Sequence, residues 1–280
     1  LNFTKITGLG NDFILFDNRH AVLSGEGRAF FREICQRRVS VGADGVILLE
    51  ASQRADFKYR HFNSDGSDAE MCGNGARSIC YYAFVNKIVS AHHSFEVNEA
   101  IYEAWVKGNQ VKLKMPPPEQ IIPELGIVTE AELEEGGFVQ VGVPHLVIFS
   151  SDVTQIDLMQ IGRHYRFHPQ FTRGANVNFV QVLDAKTIQI RTYERGVEAQ
   201  TLACGTGSTA AAIIAALKKG LNPPIQVNNP GGSLQLDWGD NFNPIYLEGA
   251  VKIIYEGRLW NSRDARPCVS TDYKAIQTGS

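Results

Sequence analysis

A six-residue pattern occurs twice in this chain and constrains its fold more than any other feature. The first copy is Met71-Cys72-Gly73-Asn74-Gly75-Ala76 and the second, 132 positions later, is Ala203-Cys204-Gly205-Thr206-Gly207-Ser208. Each reads x-Cys-Gly-x-Gly-small, and each opens a stretch that is apolar nearly all round, Ile79 to Val85 in one case and Ala210 to Leu217 in the other. A helix without a polar face must be buried. Two such helices at corresponding places predict a duplicated chain in which each half covers its own helix.

Strands are the material available for that cover. Phe3 to Ile6, Phe13 to Phe16, Val46 to Leu49, Phe57 to Phe62, Ile101 to Val106 and Val111 to Lys114 are short β-type runs, bounded by turn signals such as Asn63-Ser64-Asp65-Gly66. A further helix is expected over 26–38. Met115-Pro116-Pro117-Pro118 cannot donate a backbone hydrogen bond at any of its prolines and marks a linker. Beyond it the order recurs, with strands near 138–142, 145–149, 176–182 and 187–193 and helices near 155–165 and 206–219. Strands at 225–228, 233–237 and 245–255 complete it. The fold class is therefore α+β, two similar halves in which many strands surround few helices. Residues 1–116 make an N-terminal half, to which a strand near 250–260 could return, 117–260 a C-terminal half, and 261–280 a polar tail.

Composition narrows the function. With 44% hydrophobic and 20% charged residues the chain can build a core. A net charge of −3 with scattered lysines and arginines argues against nucleic acid and anionic membrane as partners. No apolar run is long enough to span a bilayer as a helix, and Leu1 to Gly8 reads as a strand rather than a secretory leader. Five cysteines at wide spacings give neither a disulfide framework nor a Cys-x-x-Cys metal signature. Reduced thiols in the cytoplasm are expected, or in a plastid stroma had a targeting segment preceded Leu1. Cys35, Cys80 and Cys268 read as small core residues.

Cys72 and Cys204 read differently. A helix start offers unpaired N–H groups and the positive end of the dipole, and glycines let a ligand reach the backbone. That is an anion site, and a thiol placed there is expected to have its pKa lowered toward neutrality. Two such starts facing each other across a cleft would hold a carboxylate between two sulfurs. One thiolate could then take a proton from one face of a carbon while a thiol supplies one to the other, with no cofactor and no metal. The same N–H groups would stabilise charge developing on the carboxylate. One thiolate and one thiol is the expected pair, since close charges resist joint ionisation.

These residues resemble the diaminopimelate epimerase family. Gly8-Leu9-Gly10-Asn11-Asp12-Phe13 is similar to its opening, Phe62 to Ser67 to its substrate loop, and Cys72 to Arg77 to its first catalytic motif. Pro144-His145, Asn176, Tyr193-Glu194-Arg195-Gly196 and Ala203 to Gly207 continue the match in order. The resemblance implies two domains, each a curved, mostly antiparallel sheet around a central helix, with the active site in the cleft between them. It implies interconversion of LL- and meso-diaminopimelate, toward lysine and peptidoglycan, without pyridoxal phosphate. It makes Cys72 and Cys204 the acid/base pair and His145 and Glu194 modulators of their pKa values. Asn11, Asn63, Asn176 and Arg195 become substrate-binding residues. Glu194 could serve there too, as could the helix-start residues Gly73, Asn74, Gly205 and Thr206. The partner expected is a small amino acid, with homodimerisation left open.

Two positions depart from the family's pattern. Val143 stands where an Asn often precedes the Pro-His pair, and Gly45 where some members carry Gln. Losing polar groups near the substrate loosens selection, so a broader amino-acid racemase acting on glutamate is the alternative. A carboxylate-binding protein without turnover and a redox switch joining the two sulfurs are the others.

Overall fold

The structure is a computed structural model that describes residues 1–127, 129–130 and 133–260. The tail at 261–280, with Cys268, lies outside the described residues.

The chain folds as a repeat. The first half comprises β1 (Asn2–Gly8), β2 (Asn11–Asp17), α1 (Arg28–Cys35), β3 (Gly45–Glu50), β4 (Phe57–Asn63), α2 (Gly73–Val85), β5 (His92–Val97), β6 (Ala100–Lys107) and β7 (Gln110–Met115). Next come β8 (Gln120–Ile122), β9 (Leu133–Val141), β10 (Val143–Ser150), α3 (Leu158–Arg166), β11 (Asn176–Asp184) and β12 (Thr187–Glu194). They are followed by β13 (Ala199–Thr201), α4 (Gly205–Lys219), β14 (Ile225–Asn229), β15 (Gly232–Trp238), β16 (Ile245–Ala250) and β17 (Lys252–Arg258).

Strand pairing shows how closely the halves correspond. The first runs β17-β1-β2-β3-β4-β5-β6-β7. The second runs β8-β9-β10-β11-β12-β14-β15-β16, with β13 added beside β12. The parallel pairs, β2/β3 with β4/β5 and β10/β11 with β12/β14, fall at the same places, and every other pair is antiparallel. A β7–β16 pairing joins the halves. α2 packs against β1, β2, β3, β4, β6 and β7, and α4 against β9, β10, β11, β12, β14 and β15. A sheet that touches one helix with so many of its strands wraps around it, as expected from the apolar sequence of each helix.

One core cluster therefore contains the inner faces of both halves, including Ile79, Ala83, Ile213 and Ile214. Each buried isoleucine there contributes roughly 1.5–3 kcal/mol. α1 and α3 cover the outer faces over separate, smaller clusters.

β5, β8 and β13 have no counterpart among the expected strands, and two expected elements have other bounds. The helix expected over 26–38 ends at Cys35, because the chain doubles back and the N–H groups of Gly42 and Ala43 pair with the Ile34 and Cys35 carbonyls. The strand expected over 245–255 is two strands. β16 lies between β15 and β7, Val251 N–H then binds the Asn109 carbonyl, and β17 crosses to pair with β1.

Candidate active site

The starts of α2 and α4 meet. A Cβ built on Gly205 would lie 3.9 Å from the Gly73 Cα, so the two turns pack backbone to backbone. Asn74 clamps them: its Nδ2 donates to the Ala203 carbonyl at 3.1 Å and its Oδ1 accepts from the buried Arg77 Nη2 at 2.6 Å. That side chain is spent on joining the halves. The first helical bonds are Ala76 N–H to the Cys72 carbonyl and Ser208 N–H to the Cys204 carbonyl, each 2.8 Å. The N–H groups of Gly73, Gly205 and Thr206 thus precede any helical acceptor, as the first N–H groups of a helix do where an anion binds.

Cys72 and Cys204 are the N-cap residues of these helices, both extended and both free thiols. Cys72 Sγ donates to Asn11 Oδ1 at 3.7 Å. Asn11 in turn donates to Asp44 Oδ2 at 2.9 Å, and Asp44 belongs to a network with Arg37 and Asp12. Lys5, almost fully buried, pairs with Asp12 at 2.7 Å. Burial opposes ionisation of Asp12, but its bonds to Arg37 and Lys5 outweigh it and bring its pKa to about 2. Cys204 Sγ accepts from Gly207 N–H at 3.4 Å and lies 3.5 Å from the Thr206 hydroxyl.

The thiols do not have the lowered pKa values expected from their helix starts. Burial pushes Cys72 up despite the N–H groups of Gly75 and Asn74 and the positive Arg77, and it takes Cys204 to about 12. Glu194 adds to both increases. Removing water from a sulfur costs its charged form more than one helix turn returns.

Glu194 itself ends β12, where burial raises its pKa although the Thr201 hydroxyl opposes the rise. Its negative charge acts on both sulfurs. His145 is fully buried, with Nδ1 3.3 Å from Asn178 Nδ2 and Nε2 without a partner. Burial, followed by the charge of Arg195, holds its pKa at about 3, so the ring is neutral. Asn176 uses both ends of its amide, donating to the Pro144 carbonyl at 3.2 Å and accepting from Arg195 N–H at 2.8 Å. It shapes the loop that presents Arg195, whose Nη1 reaches the Arg173 carbonyl. Asn63 donates to Ser67 Oγ at 3.0 Å in its turn.

The sequence reading missed Asn178, Thr192 and His61. In the second half Thr192 donates to Asn178 Oδ1 at 3.0 Å, and Asn178 packs so closely on α4 that a Cβ on Gly207 would lie 2.5 Å from that oxygen. In the first half His61 fills the space beside Gly45. A Cβ there would meet His61 Nε2 at 2.8 Å and the Phe62 carbonyl at 2.5 Å. Val143 lines a cavity of about 470 Å³ with Glu70, Gln140, Arg173 and Arg195, reached from both halves. Register is the signal that finds these residues, because it pairs Ile47 with His61 and Asn178 with Thr192.

Among the described residues no group of three or more His, Cys, Asp and Glu side chains is placed to hold a metal ion, and no helix is long and apolar enough to cross a membrane.

The family model for diaminopimelate epimerase matches residues 3–120 and again 137–254, one match for each half. A diaminopimelate epimerase of Aquifex aeolicus (strain VF5) is 41% identical over 275 residues, covering 92% of this chain and 98% of that protein. Another, from Hydrogenobaculum sp. (strain Y04AAS1), is 39% identical over 91% of this chain and 97% of its own. A crystal structure of a phenazine biosynthesis protein of the PhzF family from Enterococcus faecalis superposes with a TM-score of 0.70 at 13% identity, covering 93% of this chain and 99% of that one. That likeness is one of fold.

Proposed function

The chain belongs to the diaminopimelate epimerase family, and from that premise we propose that it interconverts LL- and meso-diaminopimelate through Cys72 and Cys204, a step toward lysine and peptidoglycan. The observation that carries this reading is the meeting of two cysteine-capped helix starts at Gly73 and Gly205. The α-carboxylate sits on the N–H groups there, with one sulfur on each side of Cα. A thiolate takes the α-proton, forming S–H as C–H breaks, and the electron pair moves into the carboxylate as an enediolate. The opposite thiol protonates the other face and becomes the thiolate. Charge thus accumulates where N–H donors are already fixed. Burial opposes ionisation of both sulfurs, so the substrate's ammonium supplies the positive field that makes one of them a base. His145 and Glu194 adjust that balance, and Asn11, Asn63, Asn176, Glu194 and Arg195 bind or frame the amino-acid group at the far end.

Neither metal nor pyridoxal phosphate enters these steps. Free thiols suit a reducing cytoplasm, since a disulfide between the sulfurs would end the chemistry. Among the described residues β17 is paired on one side only and leaves Ile254 and Tyr255 about half exposed, which supports a homodimer through that edge. Light scattering reads the assembly.

The decisive experiment runs each diastereomer in deuterated water. Opposed bases put deuterium into product before it appears in recovered substrate, and Cys72→Ala and Cys204→Ala each abolish epimerisation. Equal early labelling of both pools would count against two bases, and full ligand affinity without turnover in the unaltered chain would make this a binding protein.

A further inference from the structure

Duplication gives this site an internal control. By strand register, Phe13, Ile47 and His61 of the first half stand where His145, Asn178 and Thr192 stand in the second: Phe13 pairs with Gly45 as His145 pairs with Asn176, and Ile47 pairs with His61 as Asn178 pairs with Thr192. The packing agrees. Ile47 Cδ1 approaches Gly75 at the start of α2, and Asn178 Oδ1 approaches Gly207 at the start of α4. The first half fills this layer with aliphatic and aromatic contacts, Phe13 meeting the His61 ring edge-on at 5.5 Å. The fold therefore does not require a buried amide at position 178.

The polar trio is wired in one direction. Thr192 Oγ1 donates to Asn178 Oδ1 at 3.0 Å, and the Leu146 carbonyl accepts from Asn178 Nδ2 at 3.0 Å, which fixes the amide's orientation. The second Nδ2 hydrogen faces His145 Nδ1 at 3.3 Å. His145 Nδ1 is thereby an acceptor, and its proton belongs on Nε2. That Nε2 is buried and has no partner among the protein groups described. A buried donor left unpaired in this way calls for a partner that the protein alone does not supply.

We propose that Asn178 is a positioning residue that locks His145 as the Nε2–H tautomer, so that a preset neutral donor faces an acceptor oxygen of the amino acid bound at the start of α4. This rests on the reading of the site as an epimerase. The low basicity of the buried ring keeps His145 a donor without a net charge. Such a donor strengthens as the enediolate oxygen gains charge, so its loss affects kcat more than KM.

The test uses the full chain labelled with ¹⁵N-histidine, with the His145 signals assigned by their absence in His145→Gln. At neutral pH the unaltered protein should show an unprotonated Nδ1 and a protonated Nε2. Asn178→Asp should move the proton to Nδ1, and Asn178→Leu, which copies the aliphatic filling of the first half, should give mixed tautomers. Both should lower kcat about 10- to 100-fold, with KM changing far less. Thr192→Val, a gentler change that frees the amide to turn, should shift the tautomer in the same direction and keeps the test open should the position 178 variants fail to fold. A proton on Nδ1 in the unaltered protein, or an unchanged tautomer in Asn178→Leu, overturns the proposal. Absence of turnover in the unaltered protein would instead overturn the functional reading, while the nitrogen signals still judge the lock.

Discussion

Cys72 Sγ donates to Asn11 Oδ1 at 3.7 Å, and Asn11 points its oxygen at that sulfur because its Nδ2 is held by Asp44 at 2.9 Å. An acceptor at a sulfur favours the thiol over the thiolate. The two catalytic candidates are thus held unequally, since Cys204 has the Thr206 hydroxyl at 3.5 Å where Cys72 has the Asn11 amide oxygen. Asn11→Leu should lower the pKa governing Cys72 alkylation by less than about one unit, the worth of one weak hydrogen bond. Iodoacetamide rates followed across pH by peptide mass would show it. An unchanged Cys72 profile would mean the contact does not govern ionisation.

Glu194 raises both thiols, after burial, through its negative charge. A raised thiol pKa delays the thiolate, so activity should climb as pH rises above neutrality. Glu194→Gln removes the like charge, which lowers both thiol pKa values and moves alkylation of each cysteine to lower pH. Epimerisation should still fall, because in the proposed mechanism the same carboxylate also serves the substrate. A shift to higher pH would contradict the placement of Glu194 at the sulfurs.

Among the described residues Asn74 is the only hydrogen-bond partner of Arg77, a fully buried guanidinium whose Nε and Nη1 have none there, and burial lowers its pKa to about 10. Asn74→Ala removes that partner and the link to the Ala203 carbonyl at once. Stranding a buried charge in this way costs about 3–5 kcal/mol. Denaturant unfolding should show that loss, and Asn74→Ala with Arg77→Met should recover part of it. Full stability in the single variant would mean that Arg77 finds other partners.

What could be read from the sequence divides along physical lines. The two central helices and the two cysteines were legible because duplication repeats the motif and because a helix apolar all round has only one place to go. The end of α1 was not, since it is set by Gly42 and Ala43 folding back onto Ile34 and Cys35, contacts that periodicity does not encode. The direction of the thiol shifts was misread for a related reason. A helix start is local and visible in sequence, whereas the desolvation that outweighs it comes from packing that the motif does not encode. Asn178, Thr192 and His61 occupy ordinary strand positions, and their meaning arises from which residue lies across the ladder.

Gly45 is the position where the sequence suggested a lost substrate contact, and the structure gives it a steric reason. Any side chain there would press on the Phe62 carbonyl, and His61 already holds the neighbouring volume, braced by Tyr59 in a stack at 5.9 Å and by its Nδ1 against the Glu70 carbonyl. Gly45→Gln should therefore destabilise the chain by roughly 1–3 kcal/mol, as overpacking does. His61→Ala in the same chain should recover only part of this, because the backbone carbonyl stays in place. Epimerisation of diaminopimelate and racemisation of L-glutamate, measured on one preparation, then separate packing from selectivity. With His61 occupying the space of the missing side chain, diaminopimelate should remain the far better substrate of the unaltered enzyme. Comparable turnover of glutamate would show instead that Gly45 and Val143 leave the far end of the site open.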